Sequence, residues 1–279
     1  SLLFSCNKQE DSITTTDGNT AEIAGKRGCY SDEHLKAQLA ADPTLAQRME
    51  EFELQSARAI ANGRIVNGVI EIPVVVNVLY RTTAENISLA QIQSQIDVLN
   101  KDFNAANSDY NTANNPYSSV RANVGIRFVL DQVIRTKWNI WICTIGGGIL
   151  GYAQFPGGAS ATDGVVLDGK YTGTTGTATA PFNLGRTATH EVGHWMNLRH
   201  IWGDATCGSD LVSDTPVHNT ANYGVPAVGH RSTCTGTPLE MYMNYMDYTD
   251  DRGMYMFSAG QKTRMLAIFA VGGSRASFR

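Results

Sequence analysis

Apolar positions recur at helical spacing from Ser31 to Leu39 and again from Leu45 to Ile60, and Asp42-Pro43 between them reads as N-cap and first-turn proline of the second helix. Gly63 and Gly68 break that pattern. Ile70 to Tyr80 (IEIPVVVNVLY) is a nearly continuous apolar run that predicts a strand, with Pro73 near its start. Ser88 caps a further helix through about Asn104, in which Ile92, Ile96 and Leu99 form one apolar face. Strands are expected at Gly125 to Gln132, Trp138 to Thr144 and Leu150 to Phe155, the last ended by Pro156-Gly157. A longer helix follows around residue 190. Strands interleaved with helices in this order predict a mixed sheet covered by helices, of the α/β or α+β class. No internal repeat is visible.

At 279 residues the chain suits one large domain, or a domain with an appendage, around a sizeable core. Its charged fraction of 17% is low, and a formal net charge of −4 offers no basic stripe for nucleic acid. No apolar run reaches the roughly 18 residues that would span a membrane. Five cysteines, Cys6, Cys29, Cys143, Cys207 and Cys234, cannot all pair within the chain. Leu3-Phe4-Ser5-Cys6 resembles a bacterial lipobox, and the polar, Thr-rich, non-periodic stretch from Asn7 to Glu22 suits a tether. Lipidation of Cys6 is the expectation; a free thiol beside an apolar terminus is the alternative.

The chemistry concentrates in His190-Glu191-Val192-Gly193-His194-Trp195-Met196-Asn197-Leu198-Arg199-His200. On a helix, His190 and His194 share one face, one turn apart, and can each place a ring nitrogen about 2 Å from one zinc ion. Glu191 beside them is poorly placed as a ligand but can reach a water on the metal as general base. The same spacing alone also occurs on ordinary amphipathic helices. His200 lies six residues beyond His194, which on a continuing helix means about 9 Å along the axis and ~120° around it. It can join the same metal only if the helix stops, and Asn197, which tolerates a left-handed backbone, sits where that stop is needed.

The stretch HEVGHWMNLRHIWGD resembles the extended zinc motif of the metzincins, and specifically that of the pappalysin metallopeptidases, in which asparagine is common at the place of Asn197. Met243-Asn244-Tyr245-Met246-Asp247-Tyr248 resembles the family's Met-turn. The likeness covers roughly Arg64 to Phe269. It implies an α+β metzincin catalytic domain with a twisted mixed sheet, a long zinc helix and an irregular C-terminal part. The expected division is 1–22 for the leader remnant and tether, 23–63 for a helical propeptide, and 64–279 for the catalytic domain, itself split into 64–197 and 198–279.

The resemblance further implies peptide-bond hydrolysis, with zinc on His190, His194 and His200, Glu191 as base, Met246 beneath the metal and Tyr248 donating to the oxyanion. Gly151, Tyr152, Ala153 and Gln154 look like the edge strand that pairs with an extended substrate, though they would also serve as a plain buried strand. Asp251 would select Arg or Lys after the cut, or be a solvated turn acid. Family members carry a disulfide and calcium near Cys207 and Cys234; Asp210 with the carbonyls of Val212 and Thr215 would suit calcium, and SDTP is equally good turn chemistry.

Cys29 ahead of the propeptide helices is expected to block the zinc as a cysteine switch. The order Arg27-Gly28-Cys29 departs from the more usual Arg-Cys-Gly, which leaves a structural thiol or a pairing with Cys143 open. Otherwise Cys143 is read as a small buried hydrophobe. Gly63-Arg64 is a candidate self-cleavage site, and the connection 133–137 is much shorter than in relatives. The sequence thus points to an exported bacterial zymogen, lipid-anchored or secreted, probing protein substrates as a monomer. A non-catalytic surface lipoprotein and a non-peptide amidase are the competing classes; the intact Glu191 and the edge strand weigh against them.

Overall fold

The computed structural model describes residues 25–63, 68–131 and 138–278. Cys6, Arg64 and the connection 133–137 lie outside the described residues. Five strands form one sheet in the order β2-β1-β3-β5-β4. Strand β1 (Ile70–Val78) lies between β2 (Ile126–Leu130) and β3 (Trp138–Cys143), parallel to both. Strand β5 (Gly164–Asp168) extends the parallel set beside β3, and β4 (Gly151–Ala153) closes the edge antiparallel to β5. The expected α+β class with a mixed sheet is what forms.

Every residue of β5 is buried, and such a strand has no alternation to announce it. The strands foreseen from the apolar runs are all present, each trimmed by a residue or more at its ends.

Helices α3 (Leu89–Phe103) and α4 (Arg186–Trp195) pack against the sheet. Ser88 caps α3 as expected, its hydroxyl accepting from the Gln91 amide at 3.2 Å. Leu99 and Phe103 are wholly buried, while Trp138 of β3 sits 5.6 Å from Phe128 and 5.0 Å from Trp195 of α4, ring centre to ring centre. That aromatic stack joins the zinc-motif helix to the middle of the sheet, so α4 is held rigidly from below its motif.

Before the sheet stand α1 (Ser31–Ala41) and α2 (Leu45–Ala61). Asp42 is not the N-cap of α2: the helix begins three residues later, after Thr44. Asp42 instead accepts from the Thr44 amide at 3.0 Å and pairs with Arg48 at 2.7 Å, so that Arg48 and Thr44 hold its carboxyl down at about 2. After α4 the described chain is largely irregular until α5 (Ala259–Ala267), which Ser258 and Gln261 close with a reciprocal capping box.

The Cys207–Cys234 disulfide implied by the resemblance is present. It staples the irregular region across 27 residues. Cys143 corrects another expectation: it is disulfide-bonded, and with Cys29 free it is neither a buried thiol nor a mate for Cys29.

Candidate metal centre

Helix α4 begins at Gly185, whose φ of 77° lets the chain turn in from the preceding loop, and all ten of its residues are buried. His190 and His194 therefore point inward from consecutive turns. The helix ends at Trp195, and Asn197 takes the left-handed conformation (φ 73°) that the spacing to His200 requires. His200 returns to the same point. The Nε2 atoms of His190 and His200 lie 3.2 and 3.0 Å from that of His194.

Each ring is oriented from behind. His190 Nδ1 faces the Tyr245 carbonyl at 2.6 Å, His194 Nδ1 the Leu198 carbonyl at 2.8 Å, and His200 Nδ1 the Asp204 carboxylate at 2.5 Å. A carbonyl or carboxylate oxygen accepts only from an N–H, so the proton sits on Nδ1 and Nε2 keeps its lone pair. Burial lowers the pKa of His190 well below the usual range and that of His194 to about 3, which keeps both rings neutral. Ring nitrogens with bare lone pairs converging at ~3 Å repel one another unless a cation lies between them. The donor set and its backing hydrogen bonds fit zinc.

Cys29 joins them: its Sγ and the three histidine nitrogens all lie within 4.8 Å of one another. The same Sγ is 3.4 Å from Glu191 Oε2. Ser31 donates to that carboxylate oxygen at 2.9 Å and accepts from the Ala153 amide at 2.8 Å. Burial raises the Glu191 carboxyl to about 7. Burial and the neighbouring Glu191 also push the Cys29 thiol up; a metal at the site would oppose both.

Met246 is wholly buried under α4, so close that a Cβ on Gly193 would stand 2.4 Å from its sulfur. Tyr248 packs 5.0 Å from the His200 ring and donates to the Cys29 carbonyl at 3.4 Å. His200 in turn stacks on Trp202 at 4.4 Å, nearly parallel.

The edge strand is covered by the N-terminal segment. Cys29 bridges Gly151 in parallel, the Tyr30 amide donates to the Gly151 carbonyl at 3.1 Å, and the Leu150 amide to the Gly28 carbonyl at 2.8 Å. Tyr152 lies against the rings of Tyr30 and His34. The Gln154 side chain donates to the Ala159 carbonyl and accepts from Thr162 and Gln38.

Asp251 is fully buried. Its Oδ2 accepts from the Leu184 and Arg186 amides at the start of α4, at 2.8 and 3.2 Å, and its Oδ1 meets the Arg27 guanidinium at 2.5 Å. Arg27 also donates to Thr187 and to the Thr249 carbonyl, and lies over the Phe182 ring. In the disulfide-bearing loop, Thr215 Oγ1 is 2.9 Å from both Asp210 oxygens and from the Val212 carbonyl. Burial raises the Asp210 carboxyl to about 6.

Sequence reasoning did not find Arg27, Ser31 or Asp204 as parts of this site. Arg27 and Ser31 meet partners remote in sequence, so no local pattern marks them, while Asp204 stood at the end of the zinc-motif stretch without a role. Only the string Arg27-Gly28-Cys29 hinted at the first.

A family model described as pregnancy-associated plasma protein-A matches residues 138–270. An extracellular metalloprotease of Pyricularia oryzae is 36% identical over 253 residues, covering 77% of this chain and 81% of that protein. Among solved structures, a variant of promirolysin from Tannerella forsythia aligns with a TM-score of 0.79 at 35% identity, over 90% of this chain and 97% of that one. Mature mirolysin of the same organism, in complex with a cleaved peptide, aligns with a TM-score of 0.71 at 38% identity, over 76% and 96%.

Proposed function

The chain belongs to the pappalysin family of zinc metalloendopeptidases, and from that membership we propose that it is an exported zymogen that cuts peptides before Arg or Lys with Glu191 as general base. One observation carries this reading: the Cys29 thiol stands among the three histidine nitrogens and against the Glu191 carboxylate.

His190, His194 and His200 would hold the zinc, and Cys29 would add a fourth donor while the propeptide, 23–63, is in place. When bound, zinc supplies a Lewis acid that polarises the scissile carbonyl and acidifies water. Glu191, released by Ser31 and Cys29, accepts the proton of the attacking water and hands it to the departing nitrogen. Tyr248, whose hydroxyl here donates to a peptide carbonyl, donates to the oxygen that gains charge. Met246 fixes the floor under α4. The substrate backbone adds to the edge at Gly151, Tyr152 and Ala153, taking the place of Gly28 to Tyr30. Gln154 continues that edge, its side chain now accepting from Gln38 of the propeptide.

The basic preference rests on Asp251. One of its oxygens is held by backbone amides, and the other already binds a guanidinium. Calcium at Asp210, Val212 and Thr215 is supported by the oxygen cluster around a half-desolvated carboxylate. A calcium-dependent rise in Tm that Asp210→Asn abolishes is the expected signature. Extracellular relatives support export. The enzyme acts as a monomer on protein or peptide substrates.

The test is cleavage-site mapping with the full chain after its propeptide has been removed. Cuts before Arg and Lys, lost with a chelator and restored by zinc, are expected. Cuts without basic preference remove the role of Asp251, and absence of any cleavage refutes the peptidase reading.

A further inference from the structure

The far end of the propeptide makes a contact that latency at the zinc does not need. Glu53 of α2 reaches Arg264 of α5 as a two-pronged pair: Oε2 accepts from Nη1 at 2.9 Å, and Oε1 accepts from Nη2. Oε1 also accepts from the Asn197 side-chain amide at 3.0 Å. The guanidinium is aimed by the catalytic domain alone, because its Nε donates to the Asn197 carbonyl at 2.7 Å. Arg264 is 8% exposed with Glu53 in place.

Two physical consequences follow. The fork stays set when α2 leaves, since Asn197 is fixed in the turn that carries His200 to the metal. A partly desolvated guanidinium left without its carboxylate favours another anion, and a planar fork favours a carboxylate.

The position of this cradle along the cleft comes from the propeptide's direction. The segment runs parallel to β4, from Arg27 on Asp251, through Cys29 at the histidines, to α2 beyond the end of the edge strand. There Arg48 donates to the Gly157 carbonyl at 3.0 Å, and Leu45, Met49 and Phe52 line the space that a Cβ on Gly157 would enter. A peptide whose basic residue after the cut sits on Asp251 must extend its amino-terminal side toward Gly157 and Asn197.

We propose that Arg264 and Asn197 form a subsite for an acidic substrate side chain on the amino side of the scissile bond, filled in the full chain by Glu53. This rests on the peptidase reading above. It makes the two ends of the propeptide alike: each places a charged side chain in a pocket that later reads the same charge in a substrate.

The experiment compares matched peptides with Glu, Gln or Lys scanned through the non-primed positions, cut by the full chain after activation. At one position Glu is expected to exceed Gln in kcat/KM by about tenfold, the factor that roughly 1.4 kcal/mol produces. Arg264→Gln should bring the ratio to about one, the Gln peptide serving as the reference within each variant. If that variant fails to fold, Arg264→Lys, which keeps the charge without the fork, should cut the ratio to about threefold. No acidic preference at any non-primed position overturns the proposal, as does a preference that survives in the Arg264 variants. A chain that cuts no peptide refutes the peptidase reading as well.

Discussion

Replacing Arg27 by methionine tests whether the basic side chain on Asp251 helps hold Cys29 at the histidines. Methionine keeps the apolar contact over Phe182 and removes the charge and three hydrogen-bonded contacts. Both partners of the ion pair are buried, with side-chain exposures of 1% and 0%, and removing one member of such a pair typically costs ~3–5 kcal/mol. Two features reduce that here. Asp251 Oδ2 keeps its two backbone donors, and the segment can lift so that water reaches Oδ1. A loss of about 2–3 kcal/mol in docking remains, or roughly 30- to 150-fold in the closed-to-open ratio. The assay is alkylation of Cys29 in the zinc-loaded full chain, followed by peptide mass, with Glu191→Gln in both proteins to stop self-cleavage. When reclosing is fast, the labelling rate follows the open fraction. Arg27→Met should therefore label about 30-fold faster or more, and Asp251→Asn should also speed labelling. Rates within twofold of the parent would refute the claim that this pair contributes to latency.

Gly193→Ala puts a methyl 2.4 Å from the sulfur of a Met246 that has no exposed surface, so overpacking of about 1–3 kcal/mol should outweigh ~1 kcal/mol of helix propensity, seen as a lower Tm and weaker activity. Asn197→Val forces a β-branched residue to a φ of 73° at a cost of about 1–2 kcal/mol and should weaken zinc binding, whereas Asn197→Gly should retain it; competition with a chelator measures both. Joint replacement of Cys207 and Cys234 by serine releases a loop of 27 residues, and the chain-entropy relation puts the loss near ~3.5 kcal/mol, readable by thermal melting with and without reductant.

The metal centre was legible because its rules are local. A turn of helix places His190 and His194 together, and an asparagine three residues past His194 marks the turn that returns His200. The strands of the sheet were legible as apolar runs, except β5, whose five buried residues carry no alternation and follow directly on a turn. Helix α5 was missed although Ser258 and Gln261 spell its capping box, because the segment is short and follows a long irregular stretch. Arg27, Ser31 and Arg264 were not legible as site residues, since each meets its partner across 160 residues or more. Asp42 failed as a cap because Thr44, two residues on, and Arg48, six residues on, take its carboxylate.

The central claim is that His190, His194, His200 and Glu191 form a peptidase centre. Its most direct test is peptide hydrolysis by the activated chain and by Glu191→Ala, with bound zinc measured in the same samples. The account predicts one zinc per chain in both and a fall in kcat/KM of about 10²–10⁴ in the variant. Equal hydrolysis at equal zinc would contradict it.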